Sequence, residues 1–157
     1  MLPCYPPFSD FVAQELVPWL QDAYHVTTNP RRMVLAGASV GALAAAFAAR
    51  QYPGTFGSVI SMSGSFWWKP EGKGEWEWLS RQFARGPLLP LRLYLAVGLL
   101  ESWPNASGFP GQLLANRHLR NVLEAKGYEV HYEEGMYGHD AAVWPEVLPK
   151  GLIRLTR

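Results

Sequence analysis

Apolar residues along the chain recur at two periods, and the switches between them mark out the elements. Phe11, Val12, Leu16, Trp19, Leu20 and Tyr24 repeat near the helical period, which predicts a helix over roughly residues 10–24, with Ser9 as N-cap and Pro18 as a bend. The turn cluster Thr27-Thr28-Asn29-Pro30 ends it. Arg32 to Ala36 reads as a short buried strand, Val40 to Arg50 as an alanine-rich helix that closes before Pro53, and Gly57 to Met62 as the next strand. A loop of about twenty-five residues, rich in Trp, Gly and Lys, follows. Leu91 to Val97 is the clearest strand; Leu113, Leu114, Leu119, Val122 and Leu123 mark a helix that stops at Gly127, and Tyr128 to Glu133 alternates as a strand. The tail from Ala141 is helix-like but cut by Pro145 and Pro149.

Strands alternating with helices imply right-handed crossovers and an α/β fold: a parallel sheet of about four strands with helices on both faces. The edges of such a sheet expose unpaired backbone groups, so pairing of two copies through an edge is conceivable and the oligomeric state is left open. Composition narrows the partners. A formal net charge of +1 over 157 residues offers neither the basic excess that nucleic acid attracts nor a polybasic block for a membrane surface. No stretch approaches the roughly 20 apolar residues of a membrane span, and Met1 to Pro7 has no signal-peptide pattern. The lone Cys4 cannot form an internal disulfide.

The chemistry concentrates in Gly37-Ala38-Ser39-Val40-Gly41, between a predicted strand and a predicted helix. A serine hydroxyl becomes a useful nucleophile when a base takes its proton and a sharp turn lifts its oxygen clear of the backbone. Such a turn crowds the positions two residues to either side, so Gly37 and Gly41 are both expected to be required. The helix beginning at Val40 aims its positive end at the site, and the Val40 amide is the natural first donor to an oxyanion. Of four histidines, His139 follows the last strand in the loop Tyr137-Gly138-His139-Asp140, where the base of this arrangement belongs; His25, His118 and His131 read as surface or packed residues.

The acid should lie between serine and histidine in the chain, yet no aspartate occurs there. Glu71, Glu75, Glu77, Glu124, Glu129, Glu133 and Glu134 are available; Glu101, in the loop after the strand ending at Val97, is the preferred candidate. Asp140 is an alternative, as is a Ser-His dyad with no acid. Trp67, Trp68, Trp76, Trp78 and Trp103 fall in loops expected at the carboxyl edge of the sheet, where aromatic faces can meet a ligand and Arg81 or Arg85 an anionic one. No His/Cys/Glu cluster has metal-ligand spacing, so no cofactor or protein-bound metal is expected.

Glu15-Leu16-Val17-Pro18, the Gly37–Gly41 motif, Tyr52-Pro53-Gly54-Thr55-Phe56-Gly57, Ser61-Met62-Ser63-Gly64-Ser65-Phe66-Trp67-Trp68 and Gly138-His139-Asp140 together resemble the enterochelin esterase family, a siderophore-esterase branch of the α/β hydrolases. The resemblance implies cytoplasmic hydrolysis of catecholate siderophore esters, with Ser39 as nucleophile, His139 as base and any iron arriving inside the substrate. Feruloyl or other acyl esters, acyl transfer, and a non-catalytic remnant are the competing readings. Three departures stand out: Ala42 where the family has a further glycine, Tyr137-Gly138 where it has paired glycines, and a beginning that corresponds to a late point in the family's sheet. Residues 1–157 therefore read as one truncated α/β-hydrolase domain, the C-terminal half, whose second oxyanion donor would come from elsewhere. Reduced stability and little activity are expected of the chain alone. Thermal denaturation checks this: a cooperative, monomeric transition above about 60 °C would contradict it.

Overall fold

The computed structural model describes residues 4–72, 74–102 and 108–156. Strands β1 (Val34–Ala38), β2 (Ser58–Met62), β3 (Arg92–Gly98) and β4 (Glu129–Gly135) form one sheet in the order β1-β2-β3-β4, with every neighbouring pair parallel. The helices are α1 (Pro6–Phe11), α2 (Val17–Ala23), α3 (Val40–Gln51), α4 (Trp78–Arg85), α5 (Gln112–Lys126) and α6 (Trp144–Thr156). Each crossover moves one strand along in the same direction. With a single hand of connection, that sends α3, α4 and α5 to one face of the sheet.

The pleat makes both faces apolar. Val59, Leu93 and Leu95 pack with Leu43, Phe47, Leu79, Phe83, Leu119 and Leu123 on the face of the crossover helices. Ile60, Met62, Tyr94 and Ala96 meet Val147 and Leu155 of α6 on the other. Helices therefore cover both faces, as the alternation of elements predicts, and β3 is buried along its whole length.

Several local expectations are corrected. The first helix starts at Pro6 rather than after Ser9: proline fits a first turn that needs no N–H, and Ser9 is buried inside α1. Between α1 and α2 the chain widens into a π turn, Val12–Leu16, whose closing bond runs from the Val17 N–H to the Val12 carbonyl. That wider turn accommodates Pro18, which has no N–H and crowds the carbonyl four residues back. β1 begins two residues later than the expected strand and is only half-buried, because it is an edge. The Trp-rich loop is interrupted by α4, which buries Leu79 and Phe83. In α6, Pro145 sits in the first turn and Pro149 interrupts only the bonding pattern, since Val147, Gly151 and Leu155 share one buried stripe.

Between β1 and α3 the backbone turns sharply at Ser39, whose φ is 54° and ψ −122°. Gly37 carries the crowding. A Cβ there would lie 2.3 Å from the Gly41 carbonyl oxygen, whereas a Cβ at Gly41 would meet nothing within 4 Å. The expectation that both glycines are sterically required thus holds for Gly37 alone, since Gly41 faces a groove along the β1 edge.

On the opposite edge, Arg117 of α5 grips Glu134 of β4 with two hydrogen bonds of 2.7 Å, and the Tyr132 hydroxyl donates a third at 2.8 Å. The guanidinium holds the Glu134 carboxyl down to about 2.

Gly37→Ala should destabilise by at least about 2 kcal/mol, because the clash is with backbone. Gly41→Ala, in the first turn of α3, should be neutral or stabilising by up to about 1 kcal/mol; urea denaturation of the two variants separates them. A carboxyl depressed in the folded state stabilises above its ordinary value of 4.5 and loses that contribution as pH falls toward 2. Glu134→Gln should therefore lower the denaturation midpoint at pH 7, and the gap to wild type should close on acidification below about 4.5.

Candidate active site

The four strands end on the same side, and each contributes to one cluster there. Ser39 follows β1, and its turn is tied to the end of β2. The Ser39 N–H donates to the Met62 carbonyl at 2.9 Å, and its own carbonyl accepts from the Ser65 N–H at 3.0 Å. Its Oγ lies 3.0 Å from His139 Nε2. His139 Nδ1 lies 2.6 Å from Glu101 Oε2. With a carboxylate as acceptor the proton belongs on Nδ1, which leaves Nε2 to accept from the serine hydroxyl.

Glu101 comes from the loop after β3 and is 2% exposed. Its second oxygen, Oε1, accepts from the Gly98 N–H at 2.8 Å and from the Ser63 hydroxyl at 2.7 Å. Such burial requires partners at both oxygens, and both have them. The acid and histidine loops are stitched together. The Leu99 N–H donates to the Gly135 carbonyl at 2.9 Å and the Leu100 N–H to the Tyr137 carbonyl at 3.1 Å. Gly98 permits the close approach, since a Cβ there would sit 2.1 Å from the Tyr137 carbonyl oxygen. Burial pushes the Tyr137 phenol up to about 12, so it stays protonated beside this pair at neutral pH.

Ser39, His139 and Glu101, picked from the sequence, are thus brought into one hydrogen-bonded line. Val40 opens α3, so its N–H is among the first-turn donors that lack an intrahelical acceptor. Of the other candidate acids, Glu71 is exposed in a turn and the rest have partners of their own. Glu75 pairs with Arg81 at 2.7 Å, Glu77 with His118, Glu124 with Arg120 at 3.8 Å, and Glu133 with Lys150 at 3.7 Å. Glu129 lies 3.4 Å from His131, and one Asp140 oxygen accepts from the Ala142 N–H at 2.9 Å. His25 is exposed in a coil.

Trp67 and Trp68 are half-buried against the main core. The Trp67 N–H donates to Gln112 Oε1 at 2.6 Å, and its ring stacks on Phe109 at 4.4 Å. Trp68 meets Trp78 edge-on at 6.1 Å. Trp76 lies 6.3 Å from Trp67 and carries the Lys69 ammonium over its ring at 4.6 Å, while Trp103 lies outside the described residues.

Sequence reasoning missed two serines. Ser63, beyond β2, takes a left-handed φ of 52° and bonds Glu101, and Ser65 Oγ lies 3.3 Å from Ser39 Oγ. Both stand in the Ser61–Trp68 segment that carries the family resemblance, but nothing in a serine's spacing announces a left-handed backbone. Among the described residues no group of three His, Cys, Asp or Glu side chains is placed to hold a metal ion, and no helix is long and apolar enough to cross a membrane.

The chain is similar to known proteins over most of its length. The chain is 33% identical over 156 residues to the iron(III) enterobactin esterase of Escherichia coli O6:H1, a match covering 98% of the chain and 37% of that protein. It is 35% identical over 129 residues to the iron(III) salmochelin esterase of the same strain, covering 77% of the chain and 30% of that protein. An enterobactin esterase structure from Shigella flexneri, determined in the presence of enterobactin, superposes with a TM-score of 0.82 at 33% identity. That match covers 98% of the chain and 38% of the other. The chain therefore spans about 37% of the length of the curated enterobactin esterase it matches. A family model described as "Putative esterase" matches residues 2–155, and the chain belongs to that esterase family.

Proposed function

We propose that the chain is the catalytic portion of a serine carboxylic-ester hydrolase that cleaves catecholate siderophore esters through an acyl-enzyme on Ser39. The observation that carries the reading is the His139 imidazole lying 3.0 Å from Ser39 Oγ and 2.6 Å from Glu101. The turn at Ser39 acts as a nucleophile elbow, its positive φ presenting the hydroxyl above the strand ends.

Ser39 Oγ attacks the ester carbonyl carbon as His139 Nε2 takes its proton, and Glu101 stabilises the imidazolium through Nδ1–H. The carbonyl oxygen becomes an oxyanion that accepts from the Val40 N–H at the start of α3. Collapse breaks the bond to the ester oxygen, which leaves as an alcohol with the proton from His139. Water, deprotonated by the same imidazole, then releases the acid from Ser39. Exposed faces of Trp67 and Trp68 are proposed to meet catechol rings; one face of Trp67 is already covered by Phe109. The substrate class is supported by what the similar proteins are named for, enterobactin and salmochelin.

A fluorophosphonate probe should form a single adduct on Ser39, detectable by peptide mass spectrometry and absent in Ser39→Ala; an unlabelled Ser39 sinks the nucleophile assignment. His139→Ala and Glu101→Gln should slow the modification by roughly 10²- to 10⁴-fold without unfolding the chain. Parallel hydrolysis rates on a catecholate triester, a feruloyl ester and a short acyl ester test the substrate class. Faster turnover of either of the last two would replace it.

A further inference from the structure

We infer that Ser63 is a positioning residue whose hydroxyl aims the Glu101 carboxylate at His139, an inference that rests on the reading of Ser39, His139 and Glu101 as the reacting unit. A carboxylate has two equivalent oxygens and can turn about its own axis. In this site the two are made unequal. Both fixed donors, the Ser63 hydroxyl at 2.7 Å and the Gly98 N–H at 2.8 Å, fall on Oε1, which leaves Oε2 to face the imidazole at 2.6 Å.

Ser63 is held in place by every polar group it has. Its N–H donates to the Ala96 carbonyl at 2.7 Å, its carbonyl accepts from Gln112 Nε2, and its hydroxyl reaches Glu101. The residue therefore links the end of β2 to β3, to α5 and to the acid loop. It does so at φ 52°, one of three positive-φ positions outside glycine among the described residues, and it is 1% exposed. A left-handed backbone favours glycine, so conformation alone gives serine no advantage here. The hydroxyl is what glycine would lack, and among the described residues its partner is the acid.

Ser63→Gly removes the hydroxymethyl group that carries the hydroxyl, while glycine keeps both backbone bonds and accepts the φ without strain. Two readouts on the full chain test the assignment. In ¹⁵N-edited proton NMR, the exchange-protected His139 Nδ1–H resonance, identified by its loss in His139→Gln, should lose its protection in Ser63→Gly. Fluorophosphonate modification of Ser39 should slow by about tenfold to a hundredfold, the range for losing a hydrogen bond to a charged group. The melting temperature should stay within about 4 °C of wild type, because relief of backbone strain offsets the lost bond. A wild-type resonance and rate in Ser63→Gly would overturn the positioning role, as would a protein melting well below that margin, or a wild-type chain with no protected resonance. If wild-type Ser39 is unreactive while the resonance still depends on Ser63, the nucleophile reading fails and the positioning role stands.

Discussion

The imidazole of His139 has to span a sheet. Ser39 leaves the first strand and His139 follows the fourth, and three neighbouring spacings of about 4.8 Å place those strands roughly 14 Å apart at the level of the backbone. A hydrogen bond of 3.0 Å across a sequence separation of 100 residues exists only because loops from the intervening strands fill the gap. The loop after β3 contributes Glu101, and the turn after β2 contributes Ser63 and Ser65. The parallel arrangement makes this possible, because it brings all four strand ends to one side.

The strand order and the site support each other. A sheet laid down in sequence order, with its crossover helices on one face, gathers every strand-to-helix turn and loop at the carboxyl end. Those loops are held by backbone contacts rather than by length. Gly98 admits the Tyr137 carbonyl, the Leu99 and Leu100 N–H groups bond the segment after β4, and Glu101 is buried in consequence. An acid buried this far needs donors supplied in advance, and the neighbouring strand ends are where those donors are found.

Much of this was legible in the residues, and the parts that were not share physical causes. Four strands and the α3 and α5 helices announced themselves by apolar period and by terminating glycine or proline. The hydrogen-bonded grouping of Ser39 and His139 was visible because the roles proposed for them demand particular neighbours, and Glu101 because chain order excluded aspartate and strand ends favour loops. Helix α4 escaped notice because a short helix with two buried apolar side chains, Leu79 and Phe83, leaves too few repeats to define a period. The extent of α6 was hidden by Pro149, whose local cost is outweighed by a buried stripe that only tertiary packing reveals. Ser63 was unreadable for a deeper reason. Its left-handed backbone is imposed by contacts from Ala96, Gln112 and Glu101, all distant in sequence.

Ser39, the proposed nucleophile, is also mounted on the least supported strand. β1 shares five residue pairs with β2 alone, while β4 shares seven with β3, which is itself flanked on both sides. Along the β1 edge runs an apolar groove of about 270 Å³ lined by Phe8, Val12, Leu35, Gly41 and Ala44, among others. Local opening follows the distribution of buried contacts, so β1 and the Ser39 turn should loosen before the His139–Glu101 pair does. The turn is tied down from the β2 side by the Met62 carbonyl and the Ser65 N–H, and those bonds hold it against the sheet's interior. Whatever strengthens the β1 edge therefore acts on the position of Ser39, and whatever strengthens the β3–β4 pair acts on His139 and Glu101. The two halves of the proposed chemistry meet at a single hydrogen bond, but they rest on parts of the sheet with different stability.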